Sequence, residues 1–261
     1  MRLLLKLSSM KDCSYDTKAY HKFQGFVYGQ LRGTPYEKLH DNPGYKFFCF
    51  SNLFPVGDPP KVIRENETRS FIVSSPDSAM IKLLAEKMKK TAEDGEPVNI
   101  GEYRFLVEDA RPLDARLSGS PVIASATPVI IRIPEEKYEQ YGISPEFRKK
   151  RYVFWRPQYD FSAFVKQLEE NLIKKYNNFH GCAMEENPVF EQYNFKKSVC
   201  CHVVEDGCER EMVGSIWQFS FSRLGPWQRK ILEFGLDCGF GERNSLGFGF
   251  VNVVREAGSH D

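Results

Sequence analysis

The chain is predicted to be an α+β protein built from two tandem βαββαβ units. Hydrophobic spacing switches between the two-residue and 3.6-residue periods in the same order twice. A turn-rich stretch, PLDARLSGSP, ending at Pro121, separates the two passes. With 261 residues and 41% hydrophobic content, the chain can bury two cores.

Arg2 to Ser8 reads as a short apolar strand, and 17–32 changes to helical spacing with Phe23, Val27 and Leu31 on one face. A loop rich in Gly, Pro and Asp follows. Phe47 to Phe54 and Arg69 to Ser74 read as strands, Ser75, Pro76 and Asp77 open a helix running to about Lys90, and Asn99 to Val107 returns to strand. In the second pass, Val122 to Ile133 is a strand, Asp160 to Lys175 a helix, and Phe195 to Val204 and Met212 to Ser222 are strands. A helix starting near Pro226 and a strand from Phe248 to Val254 complete it, with an extra segment inserted at 134–159. Each unit should fold as a four-stranded antiparallel sheet with two helices on one face, the ferredoxin-like (RRM-like) arrangement. The expected domains are residues 1–117 and 118–261. The repeat is one of element order, without residue-by-residue self-similarity.

Composition narrows the classes. The 36 basic and 35 acidic residues nearly cancel, and they divide 18 to 16 before Ser118 and 18 to 19 after Leu117, so a polyanion site must be local. Seven cysteines, an odd number, fit a reducing cytoplasm, and Lys6 interrupts an N-terminal apolar run too short for a signal-peptide core. No apolar stretch reaches the roughly 18 residues of a membrane span. Cys200, Cys201, His202 and Cys208 lack a second ligand pair, and their alternation along a strand reads as buried thiols instead of zinc. No metal and no cofactor is expected.

The stretch CGFGERNSLGFGF, 238–250, places Gly239, Gly241, Gly247 and Gly249 around Arg243, Asn244 and Ser245. A dinucleotide fingerprint needs G-x-G-x-x-G after a strand and before a helix, and here the context is reversed. A Walker loop needs Gly-Lys-Ser/Thr, which is missing. Two readings stay open on the residues alone. One is a side-chain-poor cradle for a sugar-phosphate backbone, with Arg243 on phosphate and Asn244 and Ser245 adding hydrogen bonds. The other is a turn that lets a helix cross closely over a sheet.

The same residues, GFGERNSLGFGFV at 239–251, resemble the C-terminal glycine-rich loop of the repeat-associated mysterious protein (RAMP) superfamily, the RNA-binding proteins of CRISPR systems. FQGFVYGQLRGTPYEKLHDNPGYKFFCFSNLF at 23–54 is similar to one branch of it, the endoribonucleases that cut precursor CRISPR RNA within each repeat. The middle of the chain joins this resemblance only through element order. The resemblance implies a tandem ferredoxin-like fold and a metal-independent active site at Tyr28, His40 and Lys46. It implies RNA binding by Gly239, Gly241, Arg243, Asn244, Ser245, Gly247 and Gly249. The implied partners are CRISPR repeat RNA and other CRISPR-associated proteins of an interference complex, with the chain a monomer or homodimer. A non-catalytic RNA-binding subunit of such a complex is the alternative.

The chemistry stands on these residue types. RNA carries its own nucleophile, the 2′-OH, so cleavage needs alignment, proton transfer and charge stabilisation, giving a 2′,3′-cyclic phosphate and a 5′-OH. Imidazole exchanges a proton near neutral pH, which makes His40 the general acid. Lys46 would stabilise charge developing on the phosphate. Tyr28 is a poor base with a phenol's ordinary pKa near 10, unless Lys46 lowers it. Individually the three also read as an edge-of-core tyrosine, a loop histidine and a solvated lysine, and His21 is a rival acid. FRKKRYVFWRP at 147–157 mixes Arg148, Lys149, Lys150, Arg151 and Arg156 with Tyr152, Phe154 and Trp155. It could hold RNA or be a charged turn before an edge strand.

Overall fold

A computed structural model describes residues 1–16, 19–56, 61–148, 150–185, 187–205 and 208–254. The chain divides into two compact units. The first comprises Met1–Ala115 together with Ser245–Gly247, and the second Arg116–Asn244 and Phe248–Asp261.

In the first unit the order is β1 (Arg2–Ser9), β2 (Cys13–Ser14), α1 (Tyr20–Leu31), β3 (Cys49–Phe50), β4 (Val62–Ile63), β5 (Thr68–Ser74), α2 (Ser78–Glu93), β6 (Pro97–Ile100) and β7 (Tyr103–Leu113). Leu3, Leu5 and Leu7 alternate into the core along β1, as a strand with one buried face requires. The buried face of α1 carries Phe23, Phe26, Val27 and Leu31, and that of α2 carries Met80, Ile81, Leu84, Ala85 and Met88. Asp77 caps α2, its Oδ1 accepting from Ala79 N at 3.0 Å and Met80 N at 3.2 Å. The main sheet is antiparallel, in the order β3-β5-β1-β7-β6.

The second unit runs β8 (Val122–Ser125), β9 (Arg132–Pro134), β10 (Tyr152–Phe154), α3 (Phe161–His180), β11 (Gln192–Glu205), β12 (Cys208–Ser220), α4 (Pro226–Cys238) and β13 (Val251–Val254). Its main sheet has the order β11-β12-β8-β13. With the small edge strand β6 set aside, both sheets place the first strand between the third and the fourth, an α+β arrangement consistent with the ferredoxin-like pattern. Among the described residues, no helix is long and apolar enough to cross a membrane.

Four predicted strands differ in extent. Of 47–54 only Cys49–Phe50 forms a continuous ladder, with an isolated bridge from Phe54 to Ser70, because Ser51 Oγ takes the Ile72 N–H that would continue it. Residues 99–107 turn at Gly101 (φ +60°) into the β6–β7 hairpin. Val122–Ile133 breaks after Ser125, and Pro128 has no N–H to donate. The last strand starts at Val251, because Gly249 has φ +69° and Phe250 N donates to Thr127 Oγ1. Of the cysteines read as buried, Cys201 is buried but Cys200 is exposed on the other face of β11, and the Cys208 side chain lies outside the described residues. No group of three or more metal-ligating side chains occurs among the described residues.

The glycine-rich loop is locked from below. Lys175 on α3 is 2% exposed, and its Nζ donates to Gly239 O (2.6 Å), Gly241 O (3.0 Å) and Asn244 Oδ1 (2.9 Å). Asn244 Nδ2 donates in turn to Phe240 O and Phe248 O, closing the base of the loop. Phe240 packs edge-on to Phe190 and Phe219. A Cβ on Gly249 would lie 1.9 Å from Phe240 O, and one on Gly241 2.5 Å from Ile130 O. Lys175→Met should therefore cost about 3 kcal/mol of stability by stranding those acceptors. Gly249→Ala should cost about 2–4 kcal/mol. Urea unfolding of the full chain measures both, and a Lys175→Met protein as stable as the parent would refute the role given to the ammonium.

Candidate active site and glycine-rich loop

The site in the first unit is built around α1 and the loop that follows it. Thr34 Oγ1 donates to Leu31 O and accepts from Tyr36 N, so the chain turns back as soon as the helix ends. Two contacts then pin the loop to the start of α2. Tyr36 Oη donates to Asp77 Oδ2 at 2.8 Å, and Ser75 Oγ donates to Phe47 O at 2.7 Å. Burial first, and Asp77 second, push the Tyr36 phenol up to about 12, so it stays a donor.

This anchoring brings Tyr28, His40 and Lys46 together. The Tyr28 ring meets the His40 ring edge-on at 4.9 Å between centroids and Phe48 at 5.5 Å. Lys46 Nζ donates to His40 O at 2.8 Å and to Asn42 O. His40 is exposed, with Nδ1 3.3 Å from Asp41 Oδ1. His21 is exposed on α1 two helical turns before Tyr28, about 10 Å of helix rise away, and acts electrostatically on Glu102 instead. It is Tyr28 and His40 that form the ring pair.

Tyr28 corrects one expectation. Burial pushes its phenol up to about 12, opposed only by a side-chain hydrogen bond with Ser245. The depression expected from Lys46 does not appear. Burial also lowers the Lys46 ammonium, with Asp41 opposing. Tyr28 is thus a neutral hydroxyl at physiological pH, suited to orienting an oxygen and unsuited to taking its proton.

The loop residues divide into two kinds. Gly239, Gly241, Gly247 and Gly249 are buried and have positive φ. At Gly247, in the first unit, a Cβ would lie 2.4 Å from the Phe50 ring. Close packing therefore accounts for the missing side chains at Gly241, Gly247 and Gly249. Asn244 is committed to loop closure and Ser245 to Tyr28. Arg243 is half-buried and, although not glycine, sits at φ +60°. Glu242 pairs with Arg132, which donates from Nε at 2.5 Å and from its backbone N at 3.2 Å.

Sequence reasoning missed Lys175, the Arg132–Glu242 pair and the Tyr36–Asp77 anchor. A lysine near the end of a helix looks like any solvated lysine, and neither pair is close in sequence. Only the capping signal at Asp77 was visible.

Residues 117–253 match the family described as CRISPR associated protein Cas6, C-terminal. The chain is 33% identical to the CRISPR-associated endoribonuclease Cas6 of Haloferax mediterranei, over 98% of this chain and 94% of that one. It is 30% identical to CRISPR-associated endoribonuclease Cas6 2 of Methanocaldococcus jannaschii, over 98% and 100%. A solved structure titled CRISPR associated protein Cas6 superposes with a TM-score of 0.72 at 22% identity, over 98% of this chain and 99% of that one, which speaks to the fold. With similarity of this extent running the length of the chain, the protein belongs to the Cas6 family of CRISPR-associated endoribonucleases, within the RAMP superfamily.

Proposed function

We propose that the chain cleaves precursor CRISPR RNA within its repeats without a metal ion, by attack of the 2′-OH on the adjacent phosphate. The observation that carries this reading is the Tyr28–His40–Lys46 cluster, in which an exposed imidazole stands 4.9 Å from a phenol ring and an ammonium donates to the carbonyl of the same histidine. His40 protonates the departing 5′-oxygen. Lys46, whose ammonium rests on the His40 and Asn42 carbonyls, turns from them to the phosphate as charge builds there. Tyr28, held neutral by burial, orients the 2′-OH.

In this reading, residues 1–117 carry the proton chemistry and residues 118–261 hold RNA. The loop glycines contribute by shaping the backbone around Arg243, which meets phosphate. The mature guide RNA then passes to other proteins of a CRISPR interference complex.

Incubating the purified chain with repeat RNA in EDTA should give a 2′,3′-cyclic phosphate and a 5′-OH. Cleavage that stops on chelation would remove the mechanism, and RNA held but left intact would make the chain a non-catalytic binder. His40→Ala should slow cleavage by about 10² to 10⁴ while sparing affinity. Tyr28→Phe should slow it by about tenfold without changing the shape of the rate profile between about pH 6 and 10, since the phenol titrates only near 12. A lost basic limb in that variant would instead make Tyr28 the base. Arg243→Asn, chosen because asparagine tolerates the left-handed backbone, should weaken binding and flatten its salt dependence by about 0.7 in log–log slope. An unchanged slope would remove Arg243 from the RNA.

A further inference from the structure

The segment inserted at 134–159 builds a cavity of about 600 Å³ in the second unit, lined by Phe147, Lys150, Arg151, Tyr152, Phe154 and Arg156 among others. Its floor is β10, paired with β9 so that Tyr152 faces Pro134 and Phe154 faces Arg132. Alternation along β10 sends Val153 into the core, with Trp155 buried just beyond the strand, and leaves Tyr152 and Phe154 half-exposed on the other face. Those two rings meet edge-on at 5.5 Å. The walls are tied by Tyr138 Oη to Lys150 O at 2.8 Å and by Glu135 N to Arg151 O at 3.0 Å, so the cavity exists before any ligand arrives. Lys149 lies outside the described residues.

Charge and contacts make this more than a charged turn. Lys150, Arg151 and Arg156 are exposed at the cavity, against one carboxylate, Glu211, which sits 3.6 Å from Arg156 in an exposed pair of the kind that is easily exchanged. The Arg132 guanidinium lies over the Tyr152 ring at 4.6 Å while its nitrogens hold Glu242 of the glycine-rich loop. The cavity and the loop are therefore consecutive along one set of contacts, Tyr152 to Arg132 to Glu242, next to Arg243.

We propose that this cavity is a nucleotide subsite. One unpaired RNA base stacks on the Tyr152 ring and meets Phe154 edge-on, and its flanking phosphates are held by Arg151 and Arg156, with Arg156 leaving Glu211 for phosphate. Aromatic faces accept any base, so the subsite adds affinity with little sequence preference. The inference rests on the RNA-binding reading above and extends the RNA path beyond the loop.

The test uses the full chain and 2′-fluoro repeat RNA, which carries no 2′-OH nucleophile, with single-stranded flanks containing 4-thiouridine. Photo-cross-links should map within 150–159. Tyr152→Leu should weaken binding about tenfold. Arg151→Ser combined with Arg156→Ser should reduce the salt slope by about 1.4, two phosphate contacts on a single strand. These arginines are exposed, so the double variant decides even where Tyr152→Leu disturbs β10. Cross-links elsewhere together with parent-like binding of the variants would overturn the subsite alone. A slope change without a cross-link in 150–159 would also overturn it, leaving only a phosphate contact. Failure of the parent chain to hold the RNA would overturn the RNA reading, and the subsite with it.

Discussion

A buried ammonium holds the base of the glycine-rich loop in place. An ammonium has three protons to donate, and Lys175 places them on two backbone carbonyls and one amide oxygen of the glycine-rich loop. One of these acceptors, Gly239 O, lies just beyond the C-terminus of α4, where helix carbonyls without partners concentrate negative potential. Burying a cation is costly unless its hydrogen bonds are met, so the loop backbone must adopt the conformation that meets them. The positive φ angles at 239, 241, 247 and 249 follow from that demand and from the close approach of Ile130, Phe50 and Phe240. Loop geometry is thus set by packing and by one charge, and a ligand is not needed to organise it.

The cluster in the first unit follows a different logic. Its loop is pinned at two points to the start of α2, leaving the span between them to carry His40 outward into solvent. Burial gives the three groups different environments: the half-buried phenol is kept neutral, the partly buried ammonium is made easier to deprotonate, and the imidazole stays wet. Groups whose environments differ in this way can divide orientation, charge stabilisation and proton transfer among themselves.

Element order was readable because most segments carry their own period and punctuation: Leu3, Leu5 and Leu7 alternate, and Asp77 and Asp160 stand at helix starts, whereas the breaks at Gly101 and Pro128 fell inside segments that read as continuous strands. The proximity of Tyr28, His40 and Lys46 was legible only through a resemblance, since nothing in their spacing forces a loop back onto α1. The environment of Tyr28 was not legible at all. Its shift depends on burial, which a sequence does not display, and on Ser245, more than two hundred residues away. Lys175 shows the same limit, because a solvated and a buried lysine are written alike.

Within the loop, Arg243 is the residue that keeps a left-handed backbone despite carrying a side chain. A left-handed conformation costs a residue with a Cβ roughly 1–2 kcal/mol, and glycine fills the comparable positions on either side. Arg243 carries that strain at φ +60°. The strain is sustained because the residue before it is fixed by Arg132 and the residue after it by Lys175. Backbone strain of this kind persists only where the surrounding structure over-determines it. The buried glycines and the strained arginine therefore have separate causes. The first satisfy close approach in the interior, and the second is held in place by the residues on either side of it.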